Sequence, residues 1–438
     1  MAPSEILPRT RREPQRVVVT GIGLVTPLGH DHQVVFERLC QGESAIAPIR
    51  SFDVSTLPLK HAAVLPALDA AAFGISERER HILDSVQESA LIAAEIAVRD
   101  SGLDLPRQAI RGNHQPSPGK PRMGTAIGMS HAAYEPIRTA LEKLGSGRIR
   151  QVSPHALNQS RPCGCAALVS IRYRLQGPML SQNAASATGA LNVISAYEAI
   201  RSGRADVMIA GGADSGVNPL CLAIFSQNLT GSRVGRCRPF DGERDGVVLG
   251  EGAALVVMES REHALARGAR IHGEMIGYGQ RSDAHDMSVI PAEATGLTLS
   301  IEEALRDAGL ESGEVGYINA HGTATLRNDI GEATAIRRFF PDPARAPWVS
   351  GTKGQLGHML AASGSAEFVV ALLASRDDRV PPTAGLENPD PNCELRHVMG
   401  KAIRTPVPYA LSLSIGMGGM NSAIVVRGEK GPAAPKAG

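Results

Sequence analysis

The chain has few aromatic residues, almost no net charge and no long hydrophobic run. Aromatic side chains make up 3% of its 438 residues, and 45 Lys and Arg residues are balanced by 44 Asp and Glu residues. A balanced charge gives no electrostatic reason to expect a nucleic-acid or membrane-surface partner. No stretch approaches the ~20 apolar residues that span a bilayer. The polar N-terminal segment MAPSEILPRTRREPQR lacks the apolar region of a secretory signal.

Cysteine is also scarce, and its spacing does not predict a metal site. The six cysteines lie at 40, 163, 165, 221, 237 and 393. Only Cys163 and Cys165 are close, and C-x-C without a second Cys/His pair at ligand spacing is a weak metal signal. We therefore expect buried free thiols, no metal ion and a reducing, cytoplasmic location.

Glycine, by contrast, is abundant, and short apolar strands alternate with helical patterns. The 47 glycines suit an α/β protein with many short turns. One order of strand, helix, strand, helix and paired strands occurs twice, which indicates a duplication of parallel βαβ units. Strands are expected at 17–23, 122–130, 205–214, 253–260, 271–283, 317–323, 348–353 and as a pair within 410–426, with helices at 76–102, 296–310 and 361–375. A surface loop is expected at 104–121, and disordered ends at 1–16 and 428–438.

The most informative segment is GPMLSQNAASATGALNVISAYEAIRSGRADVMIAGGAD. A short apolar strand enters an Ala/Ser/Gly turn, which opens an amphipathic helix of about four turns. A side chain in such a strand-to-helix elbow lies at a helix N-terminus, where unpaired amides and the helix dipole favour negative charge. Ser186 lies in this turn and is therefore a candidate site residue.

The elbow resembles the nucleophile elbow of β-ketoacyl-[acyl-carrier-protein] synthases of the thiolase superfamily. Five more motifs resemble signatures of that family, in its order: VVVTGIGLVTPLG, ADVMIAGGAD, CRPFDGERDGVVLGEGAALVVME, GYINAHGTATLRNDIGE and GTKGQLGHMLAASG. The resemblance runs from Val17 to about Val426. It implies an α/β thiolase fold, five-layered αβαβα, with two pseudo-duplicated halves at 17–260 and 261–427. It also implies a homodimer that pairs edge strands of the N-terminal halves.

The resemblance gives two histidines a catalytic role. His321 and His358 each lie in a family motif, where they are expected to donate hydrogen bonds to the thioester carbonyl of a malonyl extender. Two such donors stabilise the enolate that forms when CO₂ leaves. The other eleven of the 13 histidines are expected to be packed or solvent-facing.

Further residues match supporting positions of the family. Lys353 and Glu332 match a buried ion pair that sets the charge around the histidines, a role that overlaps with a purely structural salt bridge. Asp329 matches a structural support. Thr323 and Thr325 match threonines that hydrogen-bond the phosphopantetheine arm, although small hydroxyl residues after a strand are also common in turns.

The segment GMGGMN at 416–421 matches the loop that completes an oxyanion hole. The backbone N–H of Met417 is expected to pair with that of Ser186. The family has Phe at the positions of Ile415 and Met417 and Thr at Met420, so its Phe gate between the acyl pocket and the malonyl site is missing. This change implies either altered control of acyl-chain entry or a repacked pocket wall.

Ser186 stands where the family has the acyl-accepting Cys. A thiol is readily activated at a helix N-terminus, whereas a hydroxyl needs an adjacent base. Self-acylation is therefore expected to be slow, which leaves the decarboxylation half-reaction. Cys-to-Ser homologues resemble the free-standing malonyl-carrier-protein decarboxylases of polyketide β-branching cassettes, so conversion of malonyl-acyl carrier protein to acetyl-acyl carrier protein is the leading hypothesis.

Three alternatives stay open at this point. One is a Ser-nucleophile acyltransferase or hydrolase that acts on a carrier-bound acyl group. Another is a non-catalytic partner like a chain-length factor, although such partners usually lose the two histidines. The third is a slow condensing enzyme. An acyl carrier protein is the expected partner, its phosphopantetheine carries the substrate, and no separate cofactor is expected.

Overall fold

The N-terminal half of the chain contains seven of the strands in the described residues. The computed structural model of the protein describes residues 13–112, 119–131 and 133–430. The strands of this half are β1 (Val17–Val25), β2 (Ala47–Pro48), β3 (His61–Ala62), β4 (Met123–Gly128), β5 (Met179–Leu180), β6 (Val207–Ser215) and β7 (Glu251–Ser260). Its helices are α1 (His32–Cys40), α2 (Glu77–Arg80), α3 (Ser85–Ser101), α4 (Tyr134–Gly145), α5 (Ala156–Ser160), α6 (Gly164–Tyr173), α7 (Thr188–Arg201) and α8 (Pro219–Gln227).

The C-terminal half adds a second series of strands and helices. Its helices are α9 (Arg261–Ala266), α10 (Thr295–Ala308), α11 (Leu326–Phe339), α12 (Lys353–Leu356) and α13 (Ala361–Asp377). Its strands are β8 (Gly273–Ser282), β9 (Val315–Asn319), β10 (Trp348–Ser350), β11 (Arg379–Val380), β12 (Ile403–Arg404), β13 (Tyr409–Gly416) and β14 (Met420–Gly428). Short 3₁₀ turns lie at Ala70–Phe73, Ile149–Gln151, Ser312–Glu314 and Pro391–Cys393.

The two halves repeat one strand order. Ten strands form a mixed sheet in the order β10-β9-β13-β14-β8-β1-β7-β6-β4-β5. We number the five strands of each half along the chain. Read from the outer edge of the sheet to its centre, both halves then have the order third, second, fourth, fifth, first. The parts meet where β1 pairs antiparallel with β8, with Val17 opposite Met275. The duplication expected from the order of the sequence patterns is therefore confirmed.

Helices cover both parts of the sheet and fill the space between them. Helices α7 and α13 contact each other and contact strands of both halves. Helix α3 packs on β1 and β7 on one outer side, and α10 packs on β8 and β14 on the other. These contacts give the five layers αβαβα of the thiolase fold. Because α7 lies in the central layer, nearly all of its residues are buried, and the expectation that this helix is amphipathic was wrong.

One expected helix, at 76–102, is two helices in the structure. Ser76 caps the start of α2, and Asp84 caps the start of α3; each forms a capping box with the side chain three residues later. A capping side chain binds the backbone N–H groups that begin a helix. The second cap therefore begins a new helix after residues 81–84. The prediction of one continuous helix across these residues was wrong.

The chain ends are only partly as expected. Residues 1–12 and 431–438 of the predicted disordered ends lie outside the described residues, as do 113–118 of the predicted surface loop. Residues next to the ends form ion pairs: Arg16 Nη2 lies 2.6 Å from Glu274 Oε2, and Lys430 Nζ lies 2.8 Å from Asp378 Oδ2. Disorder at 13–16 and 428–430 was therefore a wrong prediction.

The cysteines in the structure agree with the sequence analysis. All six are free thiols; five of them are buried, and Cys163 is partly exposed. Among the described residues, no helix has both the length and the apolar character that crossing a membrane requires.

Helix α13 approaches the elbow so closely that only glycine fits at the contacts. A Cβ atom added at Gly189 would lie 2.4 Å from the carbonyl oxygen of Ala361, and one added at Gly212 would lie 2.3 Å from the same oxygen. Backbone oxygen cannot move aside as a flexible side chain can. The two glycines thus set the distance between α7, β6 and the start of α13.

We expect Gly189→Ala to lower the free energy of unfolding by about 1–3 kcal/mol, because the added methyl group forces these packed elements apart. Gly145→Ala, at the end of α4, is the matched control, since nothing lies within 4 Å of a Cβ atom there. This control should be neutral or more stable by up to about 1 kcal/mol. Urea unfolding of both variants measures the difference, and equal stabilities would contradict the close approach.

Candidate active site

The predicted elbow is present, with a strained residue beside Ser186. The chain leaves the short strand β5, turns at 181–187 and enters α7 at Thr188. Ala185 has a φ of 47°, a conformation that costs a non-glycine residue about 1–3 kcal/mol. The Thr188 hydroxyl stabilises the turn, since it accepts a hydrogen bond from the Ala184 N–H (2.9 Å) and donates one to the Ala185 carbonyl (2.7 Å). The turn thereby holds Ser186 at the mouth of the helix.

His358 lies directly against Ser186. Its Nε2 is 2.8 Å from the Ser186 Oγ. Its Nδ1 accepts a hydrogen bond from the backbone N–H of Leu360 at 3.2 Å, and the Ser363 hydroxyl is 3.0 Å from the same atom. An Nδ1 that accepts a hydrogen bond carries no proton, so the proton of the neutral ring is on Nε2. His358 therefore donates its N–H toward Ser186.

His321 is fixed in the same way by a different donor. The Lys353 Nζ lies 3.2 Å from the His321 Nδ1 and also binds the His321 carbonyl oxygen. Because an ammonium group only donates, the His321 proton is likewise on Nε2. The two imidazole rings are perpendicular, with centroids 5.6 Å apart. The site thus holds two neighbouring N–H donors.

Burial keeps both rings neutral. It lowers the pKa of His321 and of His358 well below the usual value, and the Lys353 ammonium lowers both pKa values further. His321 and His358 are 2% and 3% exposed. A buried neutral imidazole donates a hydrogen bond without bringing a second positive charge beside Lys353.

The buried partner of Lys353 is Glu367, which the sequence analysis missed. Lys353 Nζ lies 2.5 Å from Glu367 Oε1, and both side chains are almost fully buried. The expected ion pair between Lys353 and Glu332 is therefore wrong. Burial raises the pKa of Glu367, whereas the Lys353 ammonium lowers it. A polar residue at the seventh position of α13 was the only signal in the sequence.

Glu332 instead supports the backbone that carries His321. Its two carboxyl oxygens accept the N–H groups of His321 (2.6 Å) and Gly322 (2.8 Å). Burial raises the pKa of Glu332 to about 8. Asp329 supports two further backbone positions in a similar manner. Its carboxylate accepts the N–H groups of Phe240 at 2.8 Å and of Thr323 at 3.1 Å.

A mostly apolar cavity of about 420 Å³ opens beside the elbow. Ser186 and Met417 both line it, as the sequence analysis expects of neighbours in one site. Ile415, expected to bind substrate, is 3% exposed and packs in the core of the C-terminal half instead. A Cβ atom on Gly416 would lie 2.3 Å from the Ala184 carbonyl oxygen, so this loop contacts the elbow directly.

The two threonines lie beyond His321 in the same loop. Their hydroxyl oxygens, on Thr323 and Thr325, are 2.8 Å apart and hydrogen-bonded. Neither residue lines the cavity beside Ser186. They therefore lie on the histidine side of the site, away from the apolar cavity.

Comparison with known proteins agrees with this geometry. The model "Beta-ketoacyl synthase, N-terminal domain" matches residues 14–264, and "Beta-ketoacyl synthase, C-terminal domain" matches residues 272–387. The chain belongs to the β-ketoacyl synthase family. It is 38% identical over 421 residues to the 3-oxoacyl-[acyl-carrier-protein] synthase 2 of Coxiella burnetii, an alignment that covers 94% of this chain and 99% of the relative.

Solved ketosynthase structures share the fold over nearly the whole chain. The ishigamide ketosynthase/chain length factor superposes with a TM-score of 0.86 at 29% identity, covering 95% of this chain and 100% of that one. A type II PKS ketosynthase bound to its acyl-carrier protein and the hexaketide has a TM-score of 0.83 at 29% identity, with the same coverage. The thiolase fold expected from the motifs is therefore confirmed.

One cluster of metal-type ligands lies elsewhere in the described residues. Ligand atoms of His32, Asp100 and His272 lie within 4.8 Å of one another. The His272 ring is already engaged at both nitrogens: Nε2 lies 2.8 Å from Asp100, and Nδ1 lies 3.2 Å from an Arg376 guanidinium nitrogen. Because both nitrogens of His272 already have partners and one partner is the positively charged Arg376, these residues suit a hydrogen-bonded cluster better than a metal ion.

The partner of Lys353 can be identified by stability measurements. Glu367→Gln leaves a buried ammonium without its counter-charge and should cost about 3–5 kcal/mol. Glu332→Gln removes one acceptor from a backbone N–H and should cost about 1–3 kcal/mol. Adding Lys353→Met to Glu367→Gln removes the unpaired charge and should recover part of the loss. The assignment would be contradicted if Lys353→Met recovered stability in the Glu332→Gln variant and did not recover it in the Glu367→Gln variant.

Proposed function

We propose that the protein is a ketosynthase-like enzyme that decarboxylates malonyl-acyl carrier protein to acetyl-acyl carrier protein, as in β-branching during polyketide biosynthesis, and does not condense acyl chains. The observation that carries the proposal is the direction of the His358 N–H. This N–H points at the Ser186 Oγ. A general base would need a lone pair on Nε2 in that direction instead. The site therefore retains hydrogen-bond donors for an enolate and lacks an activated nucleophile at the elbow.

A serine nucleophile needs a base that removes its proton. In a Ser–His pair the Nδ1 donates to a carboxylate or carbonyl, which leaves Nε2 free to accept the hydroxyl proton. His358 has the opposite arrangement, because its Nδ1 accepts the Leu360 N–H. An acyl transfer from Ser186 would require this ring to change tautomer and lose a buried hydrogen bond.

The same arrangement favours loss of CO₂ from a malonyl thioester. The bond between the carboxylate and the α-carbon breaks, and its electron pair moves onto the thioester oxygen as an enolate. The N–H groups of His321 and His358 stabilise this oxygen, and the buried Lys353 ammonium adds a favourable potential. Protonation of the α-carbon then gives the acetyl thioester. The Ser186 hydroxyl can hold the water that supplies this proton.

The substrate would enter on the phosphopantetheine arm of a carrier protein. A carrier is named in the complex of one structural neighbour, where an acyl-carrier protein binds its ketosynthase. The hydroxyls of Thr323 and Thr325 lie beside His321 and offer hydrogen bonds to the amides of such an arm. No other cofactor is needed for this step, since the thioester itself takes up the electron pair.

The decisive experiment uses malonyl-carrier protein alone. We expect release of CO₂ and formation of acetyl-carrier protein, with no β-ketoacyl product when an acyl primer is added. His321→Ala should lower this rate about 10²–10³-fold, the usual effect of removing one oxyanion donor. Quantitative mass spectrometry of the carrier measures both. A β-ketoacyl product, or a rate unaffected by His321→Ala, would contradict the proposal.

Two substitutions of Ser186 serve as matched controls in that assay. Ser186→Ala should reduce decarboxylation far less than His321→Ala, because the hydroxyl is not the nucleophile. Ser186→Cys should gain an acyl group at residue 186 from an acyl-carrier donor, which checks that the pocket is otherwise intact. A stable acyl group on Ser186 of the unaltered protein would instead support the acyltransferase alternative.

A homodimer is the second part of the proposal. Strand β5 is the last strand of the sheet, and no described strand pairs with its outer edge. Met179 in this strand is 52% exposed. An unpaired apolar edge favours pairing with a second copy. Sedimentation should give twice the mass of one chain, and Met179→Pro, which removes a backbone donor, should shift it toward the monomer.

A further inference from the structure

A candidate nucleophile lies in the wall of the cavity that Ser186 also lines. Cys221 and His131 line this cavity together with Ser186. The Cys221 Sγ is 3.5 Å from the His131 Nε2, within hydrogen-bond distance for sulfur. The His131 Nδ1 is 3.2 Å from the Asp214 Oδ1. The three side chains thus form a Cys–His–Asp series, the arrangement that activates a thiol for acyl transfer.

The fold explains why these three residues meet. Strands β4 and β6 are parallel neighbours, with Gly128 opposite Gly212. His131 follows the carboxyl end of β4, and Asp214 lies near the carboxyl end of β6. The carboxyl ends of parallel strands are where sites assemble in α/β folds. Cys221 comes from the first turn of α8, the next helix along the chain.

Asp214 is held firmly enough to orient the ring. Its side chain is 1% exposed. It accepts the N–H groups of Ser130 at 3.0 Å and of Ala361 at 3.2 Å, and it also binds the Ser130 hydroxyl. These donors fix the position of the carboxylate. The His131 Nδ1 lies 3.0 Å from the Ser130 Oγ and 3.2 Å from the Asp214 Oδ1, so it faces these two oxygens while Nε2 faces the sulfur.

Two hydrogen-bonding groups face the sulfur. The amide nitrogen of Asn218 lies 3.3 Å from the Cys221 Sγ, and the Cys221 N–H is capped by the same Asn218 side chain. Burial lowers the pKa of His131, but the hydrogen bonds to Asp214 and Cys221 outweigh burial and raise it to about 10. An imidazolium and an amide donor therefore both face the sulfur atom.

We propose that Cys221 is an acyl acceptor that takes a short acyl group from a thioester entering the cavity. In this pair His131 Nε2 holds the proton of the thiol, and the Cys221 sulfur attacks the thioester carbonyl carbon. The bond between this carbon and the carrier sulfur breaks, and the carrier thiolate takes the proton from His131. The products are a thioester on Cys221 and a free carrier thiol, and no further reactant is needed. The cavity of about 420 Å³ is within the usual range for small-molecule sites.

The test uses the full-length protein and hexanoyl-N-acetylcysteamine as the acyl donor. We expect one hexanoyl group, mapped by peptide mass spectrometry to the Cys221 peptide and released by neutral hydroxylamine, as thioesters are. Cys221→Ser should abolish the adduct, and Ser186→Ala should keep it. His131→Gln should slow its formation about 10²-fold or more. Thermal unfolding checks that each variant is folded.

A second measurement does not depend on the acyl donor. Iodoacetamide at neutral pH should alkylate Cys221 faster than Cys163, although Cys163 is the more exposed thiol. His131→Gln should remove that preference. Faster alkylation of Cys163 than of Cys221, together with no hexanoyl adduct on Cys221, would overturn the proposal. A hexanoyl adduct on Ser186 or Cys163 would also overturn it.

This proposal concerns the cavity beside the decarboxylation site and fails independently of the decarboxylation. Hexanoyl thioesters have no carboxylate to lose, so the His321 and His358 donors are not tested by the adduct. A protein that releases CO₂ from malonyl-carrier protein and never becomes acylated overturns only the role of Cys221. An acylated protein that releases no CO₂ overturns only the decarboxylase.

Discussion

The buried ammonium of Lys353 is the interaction on which the active site depends. It forms an ion pair with Glu367, donates a hydrogen bond to the His321 carbonyl oxygen and donates another toward the His321 Nδ1. Removal of this one group would leave a buried carboxylate without a partner and would free His321 to change tautomer. Because the pair is almost fully buried, water cannot replace either charge at low cost. The chemistry of the histidines is therefore tied to the packing of α12 against α13.

Packing around the elbow is constrained for a related reason. Glycines on α7 and β6 let the start of α13 come close enough for His358 to reach Ser186. Two non-glycine residues beside the site, Ala185 and Leu360, have φ values of 47° and 48°. Such conformations persist only where the surrounding structure determines them. The Leu360 conformation also directs its N–H to the His358 Nδ1, so the strain contributes to the orientation of the ring.

The sequence predicted the fold well because the fold follows from local patterns. Apolar strands, helical spacing and family motifs are read within about twenty residues, and they gave the duplicated halves and the elbow correctly. The failures at the site came from side-chain partners that no local pattern marks. Glu367 lies 14 residues after Lys353, in a helix that is buried on all sides, so no amphipathic pattern marks the side that faces the site. Glu332 seemed the natural partner because the family motifs contain it.

One other error had a local cause that the sequence did contain, whereas the rest did not. The second capping box, in Asp84-Ser-Val-Gln, marks the start of α3 within the segment expected to be one helix. The ion pairs of Arg16 and Lys430 were not foreseeable, since their partners lie 258 and 52 residues away. His131 was expected to be merely packed or solvent-facing. Its contacts come from three separate segments, and only the sheet brings these together.

The partner of Nδ1 gives His358 and His131 opposite chemical roles. At His358 a backbone N–H occupies Nδ1, so Nε2 carries the proton and the ring is a donor for developing negative charge. At His131 the Ser130 hydroxyl and the Asp214 carboxylate face Nδ1, so Nε2 faces the sulfur and holds the proton that the thiol has lost. Which nitrogen of a histidine is protonated is set by the hydrogen bond that the other nitrogen makes. The hydroxyl at the elbow is thus paired with a ring that cannot deprotonate it, while the thiol in the cavity wall is paired with one that can.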